Sequence, residues 1–380
     1  MQDSDLKSEA ETLLTTTFTL QTLTPLFLAG ANQQTAELRP PSFRGLMRYW
    51  QRALVGGLVG TENTGIKQVI EQEGQVFGTT ESGSPVRLRL KKTPRTTAPE
   101  KLTEKLNTTV NGQYQATGKG YLIWSMAKSG NVTKGNLKEA RYFYPDGTEF
   151  EISLLARPDH LAEYHKSLAA FWLMTHLGGV GSRSRRTAGS LSVIKTIAKG
   201  KSSDLLKNLP FEPASSPETL KKQLEQGIQT ARTLFKDLKG QPPSLAFFDA
   251  LTPATCRIWL IQGRPKPWST MEEAMRALGE SLQDYRGSFP KQDRVIFGLP
   301  LQGVTNKDRM SSPLHLCLHR LSTGQYIGVA LVFKTRKEPT SRNSSPSYSP
   351  DPSDADYKRI EDWFTPTNKF SPGKVTEIQL

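Results

Sequence analysis

"DHLAEYHKSLAAFWLMTHLGGVGSRSRRTAGSLSVIKTIA", residues 159–198, decides the fold. In its first half Leu161, Tyr164, Leu168, Phe171 or Trp172, and Leu177 recur at the spacing of a helix, and Gly178 supplies a stop. Its end, 190–198, is rich in β-branched residues and reads as a strand. The loop between holds Gly178, Gly179, Gly181 and Gly189 with Arg183, Arg185 and Arg186, and no acid. A helix followed by a strand is the second half of a repeating unit, so its first half is sought upstream.

There, residues 15–26 are Thr-, Leu- and Phe-rich and read as a strand ended by Pro25. Residues 40–57 read as a helix, with Ser42 as N-cap after two prolines and Gly56-Gly57 as the stop. Strands are expected at 84–90 and 150–157. The order is β-α-β-β-α-β, the ferredoxin-like plan. It repeats downstream: strand 256–262, helix 271–285, strands 314–321 and 325–333 joined by a Ser-Thr-Gly turn, helix 355–364 and strand 374–380. The fold class is therefore α+β, with two ferredoxin-like (RRM-related) domains carrying helical and loop insertions. The expected boundaries are 1–205 for the first domain, 206–244 for a helical linker, and 245–380 for the second. A Ser/Pro-rich tract at about 337–356 reads as a disordered insertion. Trp124, Trp172, Trp259, Trp268 and Trp363 are expected chiefly in cores.

Lys and Arg outnumber Asp and Glu by 50 to 36, a formal charge of +14. The cations are segregated. Arg39, Arg44, Arg48 and Arg52 occupy residues 38–61 without an acid, the last three at i, i+4, i+8 of the first helix. Arg87, Arg89, Lys91, Lys92 and Arg95 occupy residues 82–99 without an acid. Residues 164–203 hold seven Lys or Arg and no acid. Such a distribution predicts a polyanionic partner. Glycines let a backbone come close to a phosphodiester, Ser182 and Ser184 can donate to its oxygens, and the loop arginines add bidentate charged donors.

Other chemistries fit poorly. "GGVGSR" lacks the third glycine of a dinucleotide fingerprint and follows a helix, and in "KTIAKGKSS" Lys195 stands where a P-loop needs glycine. Cys256 and Cys317 make neither a zinc site nor a disulfide scaffold, and Asp293 and Asp308 lack partners at two-metal spacing. No metal or cofactor is expected. The five histidines, His160, His165, His176, His315 and His319, read as structural; His176, beside the glycine loop, is the one outlier for acid–base work. No apolar run approaches the roughly 20 residues that span a bilayer, and the polar start does not resemble a signal peptide, so a cytoplasmic chain without membrane contact is expected.

Four blocks in order, "TLTPLFLAGANQQTAELRPPSFRGLMRYWQRAL" (22–54), "VFGTTESGSPVRLRL" (76–90), "HLGGVGSRSRRTAGSL" (176–191) and "DRMSSPLHL" (308–316), resemble the RAMP superfamily of CRISPR effector proteins, and within it the family of first subunits of the Cmr (type III-B) module. The resemblance implies two ferredoxin-like domains and a non-catalytic RNA-binding subunit in antiviral defence. Such a subunit contacts CRISPR RNA near its 3′ end and helps to capture target RNA beside other subunits. It carries the family's glycine-rich loop onto Gly178, Gly179, Gly181, Ser182, Arg183, Ser184, Arg185, Arg186 and Gly189, its first-helix signature onto Arg39, Ser42, Arg44, Gly45 and Arg48, and a late signature onto Arg309, Ser312, Pro313 and Leu314. Thr187-Ala188 stand where the family often has Gly-Phe, which removes a stacking residue. No aromatic RNP-type stretch is present, so RNA is expected to be held by loops and the basic helix through phosphates. The alternatives are a RAMP-type endoribonuclease that processes CRISPR repeat RNA, and a structural RNA-binding protein outside CRISPR.

Overall fold

The computed structural model describes residues 13–31, 35–110, 113–129, 133, 137–199, 203–301, 305–336 and 352–380; most of the Ser/Pro-rich tract lies outside these, as does the side chain of Arg309. The first sheet is built from β1 (Leu14–Thr22), followed by helices α1 (Pro40–Val59) and α2 (Asn63–Phe77), then β2 (Arg87–Lys92), β3 (Glu149–Ala156), helix α3 (Leu161–Leu177) and β4 (Leu191–Lys199). Helix α4 (Pro217–Thr233) leads to the second, built from β5 (Cys256–Gln262), α5 (Met271–Gly287), β6 (Leu314–Arg320), β7 (Tyr326–Phe333), α6 (Asp354–Glu361) and β8 (Lys374–Ile378). The spatial orders are β2-β3-β1-β4 and β6-β7-β5-β8, with every pairing antiparallel. The β-α-β-β-α-β order expected from sequence is thus present twice, with the first and third strands of each unit at the centre.

Local chemistry sets the elements. In β1, Leu14, Thr16, Phe18, Leu20 and Thr22 are buried while Thr15, Thr17, Thr19 and Gln21 are half-exposed, the period-2 pattern of a sheet with one covered face. Helix α1 starts at Pro40, ahead of the expected Ser42 cap, with Arg39 as the extended flanking residue; prolines suit the first turn because their missing N–H groups would be orphaned there. Helices α4 and α5 are capped by the hydroxyls of Ser216 and Thr270, and α6 by a Ser353–Asp356 capping box. Helix α2 was not foreseen: Gly65 and Gly74 interrupt its pattern, and its buried positions include Gln72 and Glu73.

The layers alternate sheet, helices, sheet, helices. Helices α1, α3 and α4 pack on one side against Phe18, Phe150 and Ile152 of the first sheet. On the other they share a core with Ile258, Leu260, Cys317, Val329, Leu331 and Phe333 of the second. The far side of the second sheet, with Trp259, Leu316 and Ala330, is covered by α5 and α6. Helix α3 therefore lies between two sheets, which explains why nearly its whole C-terminal stretch, Ser167–Leu177, is buried. Helix α4 lies on this core as well, and Gly227 lets it do so: a Cβ there would lie 2.1 Å from Cζ2 of Trp172. Trp172, Trp259, Trp268 and Trp363 are buried as expected, whereas Trp124 is 55% exposed.

Candidate nucleic-acid interface

Helix α3 ends at Leu177, and the glycine loop turns sharply to deliver the chain to β4. Gly178 and Gly179 are buried. Gly181 (φ 87°) and Gly189 (φ 67°) hold left-handed backbone, and a Cβ on Gly189 would stand 1.9 Å from the Val180 carbonyl oxygen. Gly189→Ala is expected to lower stability by more than about 1 kcal/mol, read as a drop in the urea midpoint, because strain and a backbone clash coincide. Arg183 (φ 63°) and Thr187 (φ 69°) are also left-handed, flanking the single turn Ser184–Arg186. For a β-branched threonine this is an outlier. It is held because the Thr24 and Ser190 hydroxyls donate to the Thr187 carbonyl, 2.6 and 2.8 Å, and the Thr187 amide donates to Leu316 O. The amides of Ser182 and Gly189 are likewise committed, to Phe27 O and Pro25 O. The glycines thus serve tight chain packing, and Ser182 remains exposed.

Two of the three loop arginines, Arg185 and Arg186, reach into the second unit. Arg183 Nε donates to Leu122 O at 2.7 Å. Arg185 donates to Ser312 O (2.7 Å) and to Asp249 Oδ2 (2.9 Å). Arg186 is buried and donates to Leu314 O, Phe297 O and Ser312 Oγ. Arg185 and Arg186 clasp the late Ser-Pro-Leu motif and are only in part available to a ligand. Burial pushes Arg186 down to about 9 and lowers Arg183, each worsened by neighbouring guanidinium groups, Arg286 among them. Arg286, on α5, donates to the Tyr121 hydroxyl at 3.2 Å, and its buried Nε has no partner. No carboxylate among the described residues pairs with Arg183, Arg186 or Arg286.

The first-helix arginines are arranged differently. Arg48 and Arg52 both bind Glu73 of α2, with Arg48 Nε and Arg52 Nη1 at 2.6 and 2.7 Å from its oxygens. Arg44 donates to Phe77 O, and Arg39 lies 3.8 Å from Glu37. All but Arg44 keep about 40% of the side chain exposed. The acid-free sequence window is not acid-free in space. These residues do not converge with the loop arginines: α1 turns Tyr49 toward Asp249 and Arg185, and Arg48 and Arg52 toward Glu73.

His176, the acid–base outlier, is a core residue. It stacks on Trp172 (centroids 4.4 Å apart, 12°) and donates from Nδ1 to Trp172 O, while His319 donates from Nε2 to His176 O. Burial, with His319 adding to it, pushes its pKa down to about 3, so the ring is neutral. His315 is buried 3.6 Å from Asp249, and burial with Arg185 lowers it to about 4. Burial opposes ionisation of Asp249, but His315, Arg185 and the Tyr49 hydroxyl (2.5 Å) overcome this and hold it at about 2.

One basic surface was missed. The register aligns three rows across the outer face of the first sheet. Arg87, Leu155, Thr15 and Lys199 form the first; Arg89, Ser153, Thr17 and Ile197 the second; Lys91, Glu151, Thr19 and Lys195 the third. Arg87, Arg89, Lys91, Lys195, Ile197 and Lys199 are exposed. Leu88 and Leu90 of β2 turn the opposite way, against the core. Period-2 alternation in "RLRLKK" and the four-position spacing of Lys195 and Lys199 carry part of this signal, but only strand pairing joins the two edges.

A family model described as the RAMP superfamily matches residues 19–192. The chain is similar to CRISPR system Cmr subunit Cmr1-1 of Pyrococcus furiosus, 27% identical over 316 residues, 81% of this chain and 83% of that protein. It is also similar to Cmr1-2 of the same organism, 30% identical over 188 residues, 46% of this chain and 93% of that protein. The apo crystal structure of Cmr1 from P. furiosus shares the fold with a TM-score of 0.59, 22% identity, and coverage of 96% of this chain and 98% of that one. A chain in the type III-B Cmr-beta complex bound to cognate target RNA and AMPPnP in the presence of ssDNA matches at 0.52, 14% identity, covering 84% of this chain and 94% of that one.

Proposed function

From the premise that this chain belongs to the RAMP superfamily, we propose that it is a non-catalytic, Cmr1-type RNA-binding subunit of a type III-B CRISPR ribonucleoprotein. In this reading residues 1–205 and 245–380 are two ferredoxin-like domains bridged by the helical segment 206–244. The protein works in the cytoplasm beside the other Cmr subunits, contacts CRISPR RNA near its 3′ end and helps to capture target RNA. The observation that carries it is the cluster of Arg183, Arg186 and Arg286, three guanidinium groups around Tyr121 with no pairing carboxylate among the described residues. Like charges converge in this way where an anion completes the site, and a phosphodiester has the valence and donor preference to do so. Arg183, half-buried, commits its Nε to Leu122 O, and Arg39, Arg48 and Arg52 form a separate basic stretch at α1, apart from the cluster and with part of its charge offset by acids.

Catalysis has little to stand on. Metal-free RNA cleavage needs a group that exchanges protons near neutrality, and His176 is buried, neutral and bonded to backbone.

The test follows from which arginines the fold can spare. Arg186 is a buried clasp, so the informative variant is Arg183→Gln with Arg286→Gln. Binding of single-stranded RNA by fluorescence anisotropy should weaken, and the slope of log K against log salt should fall by about 1.4, two contacts at 0.7 each. Labelled repeat RNA incubated with the wild type in EDTA should remain intact. An unchanged slope, or cleavage abolished by His176→Ala, would sink the reading.

A further inference from the structure

We infer that the outer face of the first sheet is a second single-stranded RNA track, one that recognises ribose through a ladder of hydroxyls. The inference rests on the RNA-binding reading above and adds to it a surface, a mode and a preference for RNA over DNA.

The layer order makes this face special. The second sheet is covered on both sides, by α1, α3 and α4 on one and by α5 and α6 on the other. Among the described residues the first sheet is covered on one side only, since Thr15, Thr17 and Thr19 of its central strand and the cations of both edge strands reach solvent.

Charge and chemistry then select the occupant. The three rows carry cations on both edges: Arg87, Arg89 and Lys91 on β2, Lys195 and Lys199 on β4. The one carboxylate within them is Glu151, 3.9 Å from Lys91; Glu149, in the next row, is occupied by Arg95 (3.1 Å) and Gln21 (3.3 Å). Strands lie about 4.8 Å apart, so the cation rails stand roughly 14 Å apart across the sheet. Between them run Thr15, Thr17, Thr19 and Ser153. Thr17 Oγ1 and Ser153 Oγ share a hydrogen bond of 2.8 Å, which leaves the pair one donor and further acceptor capacity.

A protein partner fits this face poorly. Protein interfaces have an apolar, aromatic-rich core and are depleted in lysine, whereas here four of the six central positions carry hydroxyls, Leu155 and Glu151 being the others, and five of the six rim positions, all but Ile197, carry lysine or arginine. The centre also lacks the aromatic rings on which RNA-recognition sheets stack bases. What remains is a polyanion held at its phosphates by the rails. The threonine hydroxyls both donate and accept, and so can pair with a 2′-hydroxyl, which does the same.

The experiment uses the full chain with labelled oligouridylate and oligodeoxyuridylate, which differ only at the 2′ position. Arg87→Gln, Arg89→Gln and Lys195→Gln together should weaken oligouridylate binding by tenfold or more and lower the salt slope by about 2. Thr15→Val, Thr17→Val and Thr19→Val together keep size and strand propensity but remove the hydroxyls. They should bring RNA affinity down to that for DNA, with DNA affinity unchanged, and the three serine substitutions should restore the difference. Thermal melting of each variant reports whether the fold is intact. If the sheet variants bind like the wild type while Arg183→Gln with Arg286→Gln does not, this inference fails and the proposed function stands. If they keep RNA binding but lose a co-purifying Cmr subunit, the face docks protein and the inference fails. If the wild type binds neither oligonucleotide, both readings fail.

Discussion

Moving from pH 7 to pH 5 should remove about 4 kcal/mol of stability, without unpairing a single carboxylate. The loss comes from buried histidines. In the unfolded chain His176 and His315 protonate near 6.5; folded, burial holds them at about 3 and about 4. Below pH 6.5 the unfolded state therefore binds protons that the folded state refuses, so stability falls as pH falls, by about 1.4 kcal/mol per unit per histidine until the folded values are reached. Over the 1.5 units from 6.5 to 5 that is about 2 kcal/mol each, a large share of a typical 5–15 kcal/mol total. His319, lowered by burial as well, acts in the same direction. Urea midpoints at pH 7 and pH 5 measure the effect, and His176→Gln or His315→Gln should each flatten the dependence by roughly half. Asp249 behaves oppositely at lower pH: its stabilisation, present above the unfolded carboxylate value, is lost as pH falls toward about 2. A pH-independent midpoint between 7 and 5 would refute the neutral-histidine account.

Asp249→Ala should cost about 3–5 kcal/mol, among the largest losses for a single side chain. The carboxylate stands just ahead of β5 and ties together three distant pieces: Tyr49 of α1, Arg185 of the glycine loop and His315 of β6. Its removal leaves the Arg185 guanidinium next to a neutral buried histidine and an unpaired tyrosine hydroxyl, with part of its solvation already lost. Arg185→Met alongside Asp249→Ala should recover much of the loss, since a missing pair is tolerated better than a stranded charge. Because Arg185 also donates to Ser312 O, the single variant should loosen the loop against the second unit. It should then weaken RNA binding even where the urea midpoint permits folding. A cost below about 1 kcal/mol would mean that water already screens the pair.

Much of the fold was legible. Strand and helix periods gave both β-α-β-β-α-β units, and most boundaries lie within a few residues of those observed, because long apolar stripes and Gly or Pro stops act locally. The site was harder to read. Acid-free windows read as free positive charge, yet Glu73, from the unforeseen helix α2, neutralises Arg48 and Arg52 across a turn of the chain. The sequence leads one to expect all three loop arginines to grip phosphates, but Arg186 lies buried against carbonyls of residues 297 and 314, contacts that no local pattern encodes. The open sheet was partly visible: "RLRLKK" alternates while "CRIWLIQ" and "YIGVALVF" are apolar almost throughout, as strands covered on one side and on both sides should be. Joining Arg87 and Arg89 to Lys195 required the strand register, which sequence periodicity does not supply.

The shared middle layer makes the two units unequal. Had each kept its own helices to itself, a cut near residue 205 would release two soluble pieces. Here the C-terminal piece would keep α4 but lose α1 and α3, showing water the part of the Ile258, Leu260, Leu331 and Phe333 face that those two cover, and the N-terminal piece would bare Trp50 and Leu177. Neither half is a module that can be transplanted; the carboxy-terminal one is the foundation on which the other holds its working surface up to solvent.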